Sequence, residues 1–184
     1  MSTHTIMLSA PLAAGLVWAT VTDLRARRIP NWLTFAILLT GVAQSCTGYG
    51  TITLGQSLLG IIVAAAVPFV LFAIGATGGA DVKLMAGIGA WLGPGPAVAI
   101  LLVEKVVALL IVLAQAAWQG KLHALSRNSA VVAVNLVHLR ELGVDHVSEA
   151  GQSARSIDRP LPYAVPVLVA TVAVVAWFAM GGRP

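Results

Sequence analysis

Residues 55–75 read GQSLLGIIVAAAVPFVLFAIG and contain no charged side chain. A helix of about 20 such residues has the length that crosses a bilayer core of about 30 Å. The rest of the chain has the same character, because 58% of its 184 residues are hydrophobic and 10% are charged. A soluble domain carries about 25% charged residues. We therefore interpret the chain as an all-α, polytopic integral membrane protein.

Six stretches of the chain are apolar enough to be predicted as transmembrane helices. The fourth is short for a bilayer of about 30 Å, and the glycines and prolines at 93–96 predict a tight turn after it. No basic segment precedes the first stretch, so we expect a retained helix rather than a cleaved signal peptide. The predicted spans are about 6–22, 32–47, 55–75, 82–93, 97–118 and 162–181.

The basic residues orient these spans. Nine of the eleven lysines and arginines fall in the loops of one side, which the positive-inside rule makes cytoplasmic. Both termini are then non-cytoplasmic. We expect a single membrane-embedded domain over 1–184, with one long cytoplasmic loop at about 119–161.

The acidic residues separate into two groups. Four lie in the long loop and are expected to be solvated, namely Glu141, Asp145, Glu149 and Asp158. Asp23, Asp81 and Glu104 lie in or beside the spans, where an ionisable residue is costly and indicates a function. Asp23 ends the first span and Asp81 begins the fourth, so both are expected at the same depth on the cytoplasmic side.

Two interpretations of Asp23 and Asp81 stay open on position and charge alone. If helix packing brings the carboxylates together, the pair shares a proton and can serve as general base and general acid on water and a scissile carbonyl. Alternatively, each aspartate only ends a helix. Asp81 would then cap the fourth helix, and Asp23 would pair with Arg27 or Arg28.

Small residues precede Asp81, and two charged neighbours interrupt the fifth span. The run Gly78, Gly79 and Ala80 lets another backbone approach closely, which suits either an extended peptide or tight helix packing. Glu104 and Lys105 are adjacent, about 100° apart around a helix, so we do not expect them to pair directly. Glu104 either makes a structural contact, or it binds the substrate or tunes the two aspartates.

Several other kinds of site are not indicated. The single cysteine, Cys46, excludes an internal disulfide and a CxxC zinc site, and the four histidines lack metal-ligand spacing. No serine-nucleophile pattern is present. The net charge of +4 fits the positive-inside distribution better than nucleic-acid binding. We therefore predict no metal, no cofactor and no nucleic-acid partner.

Three segments resemble a known family. They are DLRARRIPNWLT (23–34), GGADVKL (78–84) and RPLPYA (159–164). They resemble the signatures of the type IV prepilin peptidases, membrane aspartic peptidases of the Gly-x-Gly-Asp class. The resemblance implies removal of a short basic leader from prepilins at the cytoplasmic face of the bacterial inner membrane. It implies that Asp23 and Asp81 are the catalytic residues. The residues expected to bind substrate or to shape the site are Pro30, Asn31, Gly78, Gly79, Ala80 and Lys83.

The resemblance also has limits that make further predictions. The chain lacks the cysteines and the length of the zinc-type domain that accompanies methyltransferase activity. It resembles the short forms of tight-adherence (Flp) pilus systems, so we predict a peptidase without that activity, acting on prepilins or pseudopilins within the lipid bilayer. Ala80 stands where the family pattern has glycine. The alternatives are a proton-coupled transporter or channel, or a catalytically inactive pilus-assembly subunit.

Overall fold

The computed structural model describes residues 10–47, 52–73, 77–121, 123 and 162–181. In this part of the chain all regular structure is helical, as predicted. Both chain termini, predicted to be non-cytoplasmic, and most of the predicted cytoplasmic loop at 119–161 lie outside the described residues. The helices are α1 (Ala10–Ala26), α2 (Asn31–Cys46), α3 (Leu54–Ala73), α4 (Gly79–Leu92), α5 (Pro94–Trp118) and α6 (Ala164–Ala179).

The observed helix boundaries correct the predicted ones at the two aspartates and at the turn after the fourth helix. Helix α1 continues beyond Asp23 to Ala26, and α4 begins at Gly79, so both aspartates lie inside helices. The tight turn predicted over 93–96 is present but shorter than predicted. Gly93 alone separates α4 from α5, with φ of 77°, a left-handed conformation that favours glycine. Pro94 begins α5, where its missing N–H costs nothing.

Helix α4 lies at the centre of the bundle. It contacts α2, α3 and α5. The other five helices surround it as a ring in the order α1, α2, α3, α5, α6, in which each helix contacts the next and α6 contacts α1. Every residue from Leu84 to Trp91 is buried. Its 14 residues span about 21 Å. Because other helices enclose it, α4 does not have to match the thickness of a bilayer.

The outer surface of the ring is apolar. Helices α3 and α5 are long and apolar enough to cross a membrane, and α6 is a shorter apolar helix. Only 22% of the apolar window in α3 and in α5 is buried, whereas the core helix of a soluble protein is mostly covered. Large side chains such as Ile62, Phe69 and Leu102 point outward. This surface fits a lipid environment rather than water.

Glycines and polar bonds hold α4 in place. A Cβ on Gly60 of α3 would meet the carbonyl oxygen of Gly89, and one on Gly89 would meet that of Gly60, so the two backbones touch. The Ser57 hydroxyl donates to the Ala90 carbonyl at 2.8 Å, and the Trp91 indole donates to the Ile37 carbonyl at 2.9 Å. Small residues and interhelical hydrogen bonds are the main means of helix association in lipid.

Candidate active site

Asp23 joins the end of α1 to the start of α6. Its side chain is buried, and its Oδ2 accepts a hydrogen bond from the backbone N–H of Ala164 at 3.0 Å. The Thr20 hydroxyl donates to the Ala164 carbonyl at 3.3 Å. Ala164 is the first residue of α6, where backbone N–H groups lack partners within the helix. In the described residues the carboxylate therefore meets this helix start, and the suggested pairing of Asp23 with Arg27 or Arg28 is not observed.

Asp81 lies in the first turn of α4 and is 5% exposed. Its backbone N–H donates to the Gly78 carbonyl at 3.1 Å. The N-cap residue is Gly78, and no side chain caps the helix start. The Asp81 carboxylate does interact with the backbone N–H of its own residue, so a role at the helix start stays open beside the catalytic one. A carboxylate in the first turn still interacts favourably with the helix dipole.

The bundle brings Asp23 and Asp81 to the same end. The charges of Lys105, Glu104 and Asp23 all act on the Asp81 carboxylate. Asp23 and Asp81 are both buried, although they come from helices far apart in sequence. The bundle therefore places two buried carboxylates in one region, close enough for the charge of Asp23 to act on Asp81.

Glu104 and Lys105 form an ion pair beside these aspartates. Lys105 Nζ lies 2.9 Å from Glu104 Oε2, so the expectation that these neighbours would not pair is wrong. The four-carbon stem of lysine is flexible enough to turn its ammonium group back toward the adjacent residue. Glu104 is fully buried. The same ammonium group lies 5.3 Å from the centroid of the Tyr163 ring, a cation–π distance.

A second contact joins the starts of α2 and α4. Lys83 Nζ donates to Asn31 Oδ1 at 2.8 Å. The Pro30 carbonyl accepts hydrogen bonds from the backbone N–H groups of Leu33 and Thr34, at 3.1 and 3.4 Å, so Pro30 occupies the N-cap position of α2. The segments 23–34 and 78–84 therefore meet directly, as do the end of α1 and the start of α6.

The residues that form this site fall within a recognised family. Residues 10–113 match the type IV leader peptidase family, which is more than half of the chain. The chain belongs to this family. The matched segment contains Asp23, Asp81, Glu104 and Lys105 and ends before α6. No curated protein and no solved structure matches the chain.

Membership of the leader peptidase family confirms the resemblance drawn from the three sequence segments. The family identifies the chain as a protease of the leader peptidase type, whose members act on prepilins. Together with the apolar helices α3 and α5, it indicates a membrane-associated protein. The roles of individual residues rest on the geometry of the site.

The glycine run of the leader peptidase is open at Gly78. Its φ of −86° and ψ of 153° suit any residue, and no described atom lies within 4 Å of a Cβ built there. A Cβ on Gly79 would touch the Phe72 ring at an ordinary 3.4 Å. Neither glycine therefore serves tight packing against the helices that the structure describes. Ala80 lies within α4 and does not have positive φ, so replacing the family glycine strains nothing there.

Sequence reasoning considered Glu104 as a group that tunes the aspartates, but it missed the position of Lys105 beside them and its pairing with Glu104. Asp81 lies twelve residues before Gly93, and Lys105 lies twelve residues after it. In a helical hairpin that turns at Gly93, equal separations place the two residues at the same level, about 18 Å from the turn. The glycine and proline turn was visible in the sequence, so counting outward from it would have indicated this neighbourhood.

The described residues contain no group of three histidine, cysteine, aspartate or glutamate side chains that could hold a metal ion. Cys46 is an exposed free thiol at the end of α2 opposite Asn31.

The contact between Lys83 and Asn31 gives a first testable prediction. We expect Asn31→Ala and Lys83→Met each to lower the free energy of unfolding by up to about 1 kcal/mol, because the bond is charged but exposed. Since both variants remove the same bond, the double variant should cost little more than either single one. Thermal unfolding in detergent measures this, with Arg25→Met, an exposed cation at the end of α1, as the control. Fully additive losses would show that the bond contributes nothing.

Proposed function

We propose that this leader peptidase is an aspartic endopeptidase that removes the short basic leader from Flp-like type IV prepilins or pseudopilins. The observation that carries the proposal is that two buried carboxylates, Asp23 and Asp81, lie at one end of the bundle, close enough for the charge of Asp23 to act on Asp81. Both lie in the segment that matches the family. Burial, mutual repulsion and separate helical supports are what a carboxylate pair needs to divide acid and base roles.

The chemistry requires only the two side chains and water. The ionised carboxylate takes a proton from water as the hydroxyl oxygen attacks the scissile carbonyl carbon, while the protonated carboxyl donates to the carbonyl oxygen. The carbon–nitrogen bond then breaks, and the amine of the mature pilin leaves with a proton returned by the pair. No cofactor takes part in this scheme.

The arrangement of helix ends supports a cytoplasmic location for the site. The end of α1 and the starts of α2, α4 and α6 lie together. Asp23 accepts a hydrogen bond from Ala164, Asn31 accepts one from Lys83 near Asp81, and the charge of Asp23 acts on Asp81. We propose six membrane-spanning helices in one domain over 1–184, with both termini outside the cytoplasm. Arg25, Arg27 and Arg28 follow Asp23, and by the positive-inside rule they support a location of this end at the cytoplasmic face of the bacterial inner membrane.

The open side of Gly78 supports a path for the substrate. We propose that the extended segment of the prepilin passes Gly78 and Gly79 to reach Asp81, with its apolar helix in the membrane beside the protein. Nothing in the described residues requires glycine at position 78 for conformation or for packing. We infer that the glycine of the family pattern at this position leaves room for a substrate backbone that approaches from outside the chain.

The substrate path predicts a specific effect of Gly78→Val. We expect the KM for a prepilin peptide to rise about tenfold, because a branched side chain narrows the approach, while the thermal unfolding temperature stays unchanged. Gly55→Val, at another open glycine, is the matched control and should leave KM unchanged. A Gly78→Val protein with wild-type KM would remove the proposed path.

Two alternatives are less well supported. In a proton relay, acidic groups would be distributed across the membrane, whereas Asp23, Asp81 and Glu104 cluster at one level of the bundle. An inactive assembly subunit was suggested only by Ala80, and the helical backbone of that residue removes the conformational objection. We also propose that the chain lacks methyltransferase activity.

Co-expression with a Flp-type prepilin tests the proposed function. We expect the prepilin to shift to the mature size on a gel, and mass spectrometry should show a new, unmethylated N-terminus. A prepilin that stays full length in the presence of well-expressed wild-type protein would contradict the peptidase assignment. Proton flux in vesicles containing that protein would then favour the transporter.

A further inference from the structure

The α4–α5 hairpin places one cation at the level of the aspartate pair. Asp81 and Lys105 lie at equal separations from Gly93, and α4 packs against α5. Of the charged neighbours that act on Asp81, Lys105 has the largest effect, followed by Glu104 and Asp23. A lysine in an apolar helix is costly unless it has a function or a partner.

Two contacts hold the ammonium group of Lys105. It forms the 2.9 Å ion pair with the fully buried Glu104 and lies 5.3 Å from the centroid of the Tyr163 ring. Tyr163 immediately precedes Ala164, whose N–H is bound by Asp23. Tyr163, which contacts Lys105, and Ala164, which binds Asp23, are thus adjacent residues at the start of α6.

Few other charges can act on the pair from the surrounding helices. Helix α3 contains no ionisable side chain, and in α2 the only such group is Cys46, at the opposite end from Asn31. On α4 itself, Lys83 is exposed and bound to Asn31. Among the described residues, the groups that face the pair are therefore Glu104 and Lys105 from α5 and Tyr163 before α6, while Arg25, two residues after Asp23 on α1, is exposed.

We propose that Lys105 is a positioning residue for the reaction, whose positive charge, held between Glu104 and the Tyr163 ring, favours the ionised form of the carboxylate that acts as the base. This inference rests on the proposed peptidase function. Lys105 touches neither the scissile bond nor water in this scheme. A purely structural ion pair would explain the burial of Glu104, but it would not change the pH at which the enzyme works.

The two members of the ion pair give opposite predictions. Without the positive charge, Lys105→Met makes ionisation of the aspartate pair less favourable, so the acid limb of kcat against pH should move to higher pH. Glu104→Gln leaves the positive charge uncompensated, so the acid limb should move to lower pH. A unit charge at about 10 Å in an effective dielectric of about 20 corresponds to a shift of about one pH unit. The double variant should return toward the wild-type profile.

Purified protein in detergent and a synthetic peptide, containing a prepilin leader and the first turns of its helix, provide the assay. Lys105→Arg keeps the charge and should keep the wild-type profile. Either single variant decides alone, so loss of one to misfolding leaves the test intact. Unshifted profiles, or shifts of both variants in the same direction, overturn the inference. If the wild type cleaves no peptide, the proposed function is wrong and this inference falls with it, whereas cleavage with unshifted variants refutes only the role of Lys105.

Discussion

Asp81→Asn is expected to reduce leader cleavage by at least about 1,000-fold, with no loss of folded protein. An amide of the same shape can neither accept the proton from water nor hold a transferable one, and loss of a general acid or base typically costs 100- to 10,000-fold. Because the substitution removes a buried charge from an apolar site, the bundle should be at least as stable as the wild type. Processing of a co-expressed prepilin, normalised to the amount of peptidase, measures the effect.

The matched control for this prediction is Asp145→Asn. It makes the same chemical change at an aspartate outside the segment that matches the family. We expect wild-type cleavage from this variant. Equal cleavage by Asp81→Asn and Asp145→Asn would mean that Asp81 serves only the start of its helix.

Gly60→Ala is expected to lower the free energy of unfolding by about 1–3 kcal/mol, the range for overpacking a close contact. The new methyl group would meet the carbonyl oxygen of Gly89 and lie 2.9 Å from the carbonyl carbons of Gly89 and Gly93. All three are backbone atoms, so no side chain can rotate away. Alanine gains up to about 1 kcal/mol in helix propensity over glycine, which does not offset the collision. Thermal unfolding in detergent measures the loss.

The matched control lies in the same helix. A Cβ on Gly55 meets no described atom within 4 Å, so Gly55→Ala should leave stability unchanged or raise it slightly. If Gly60→Ala unfolds at the same temperature as Gly55→Ala, α3 and α4 do not pack through their backbones as described. Leader cleavage should fall with the folded fraction of Gly60→Ala, because α4 carries Asp81.

Hydropathy and charge predicted the helices well because they depend on the chain locally. The absence of charge in 55–75 and the position of basic residues predict a helical bundle without knowledge of any contact. The short fourth helix was puzzling only because a sequence does not show which helix other helices will enclose. Helix α4 is central because it contacts α2, α3 and α5, and the glycines at 60 and 89 let its backbone touch that of α3, a contact that no local pattern shows.

The site was partly predictable for the same reason. Counting the spans between Asp23 and Asp81 predicted that both lie on one side of the membrane. The hydrogen bond from Ala164 to Asp23, however, joins residues that no local pattern relates. The contact of Lys83 with Asn31 likewise depends on how α2 and α4 align. The prediction that Glu104 and Lys105 do not pair was wrong because it considered only the angle between adjacent positions around the helix. The lysine side chain is long and flexible enough to bring its ammonium group back to the neighbouring carboxylate.

The most direct test of the central claim is leader release by purified wild-type protein, Asp23→Asn, Asp81→Asn and the double variant, with one prepilin peptide in detergent. Groups that act as a unit are not additive, so losing one costs about as much as losing both. We expect each single variant to cleave as slowly as the double variant, at least about 1,000-fold below the wild type. A single variant that cleaves at the wild-type rate would show that Asp23 and Asp81 are not a catalytic pair.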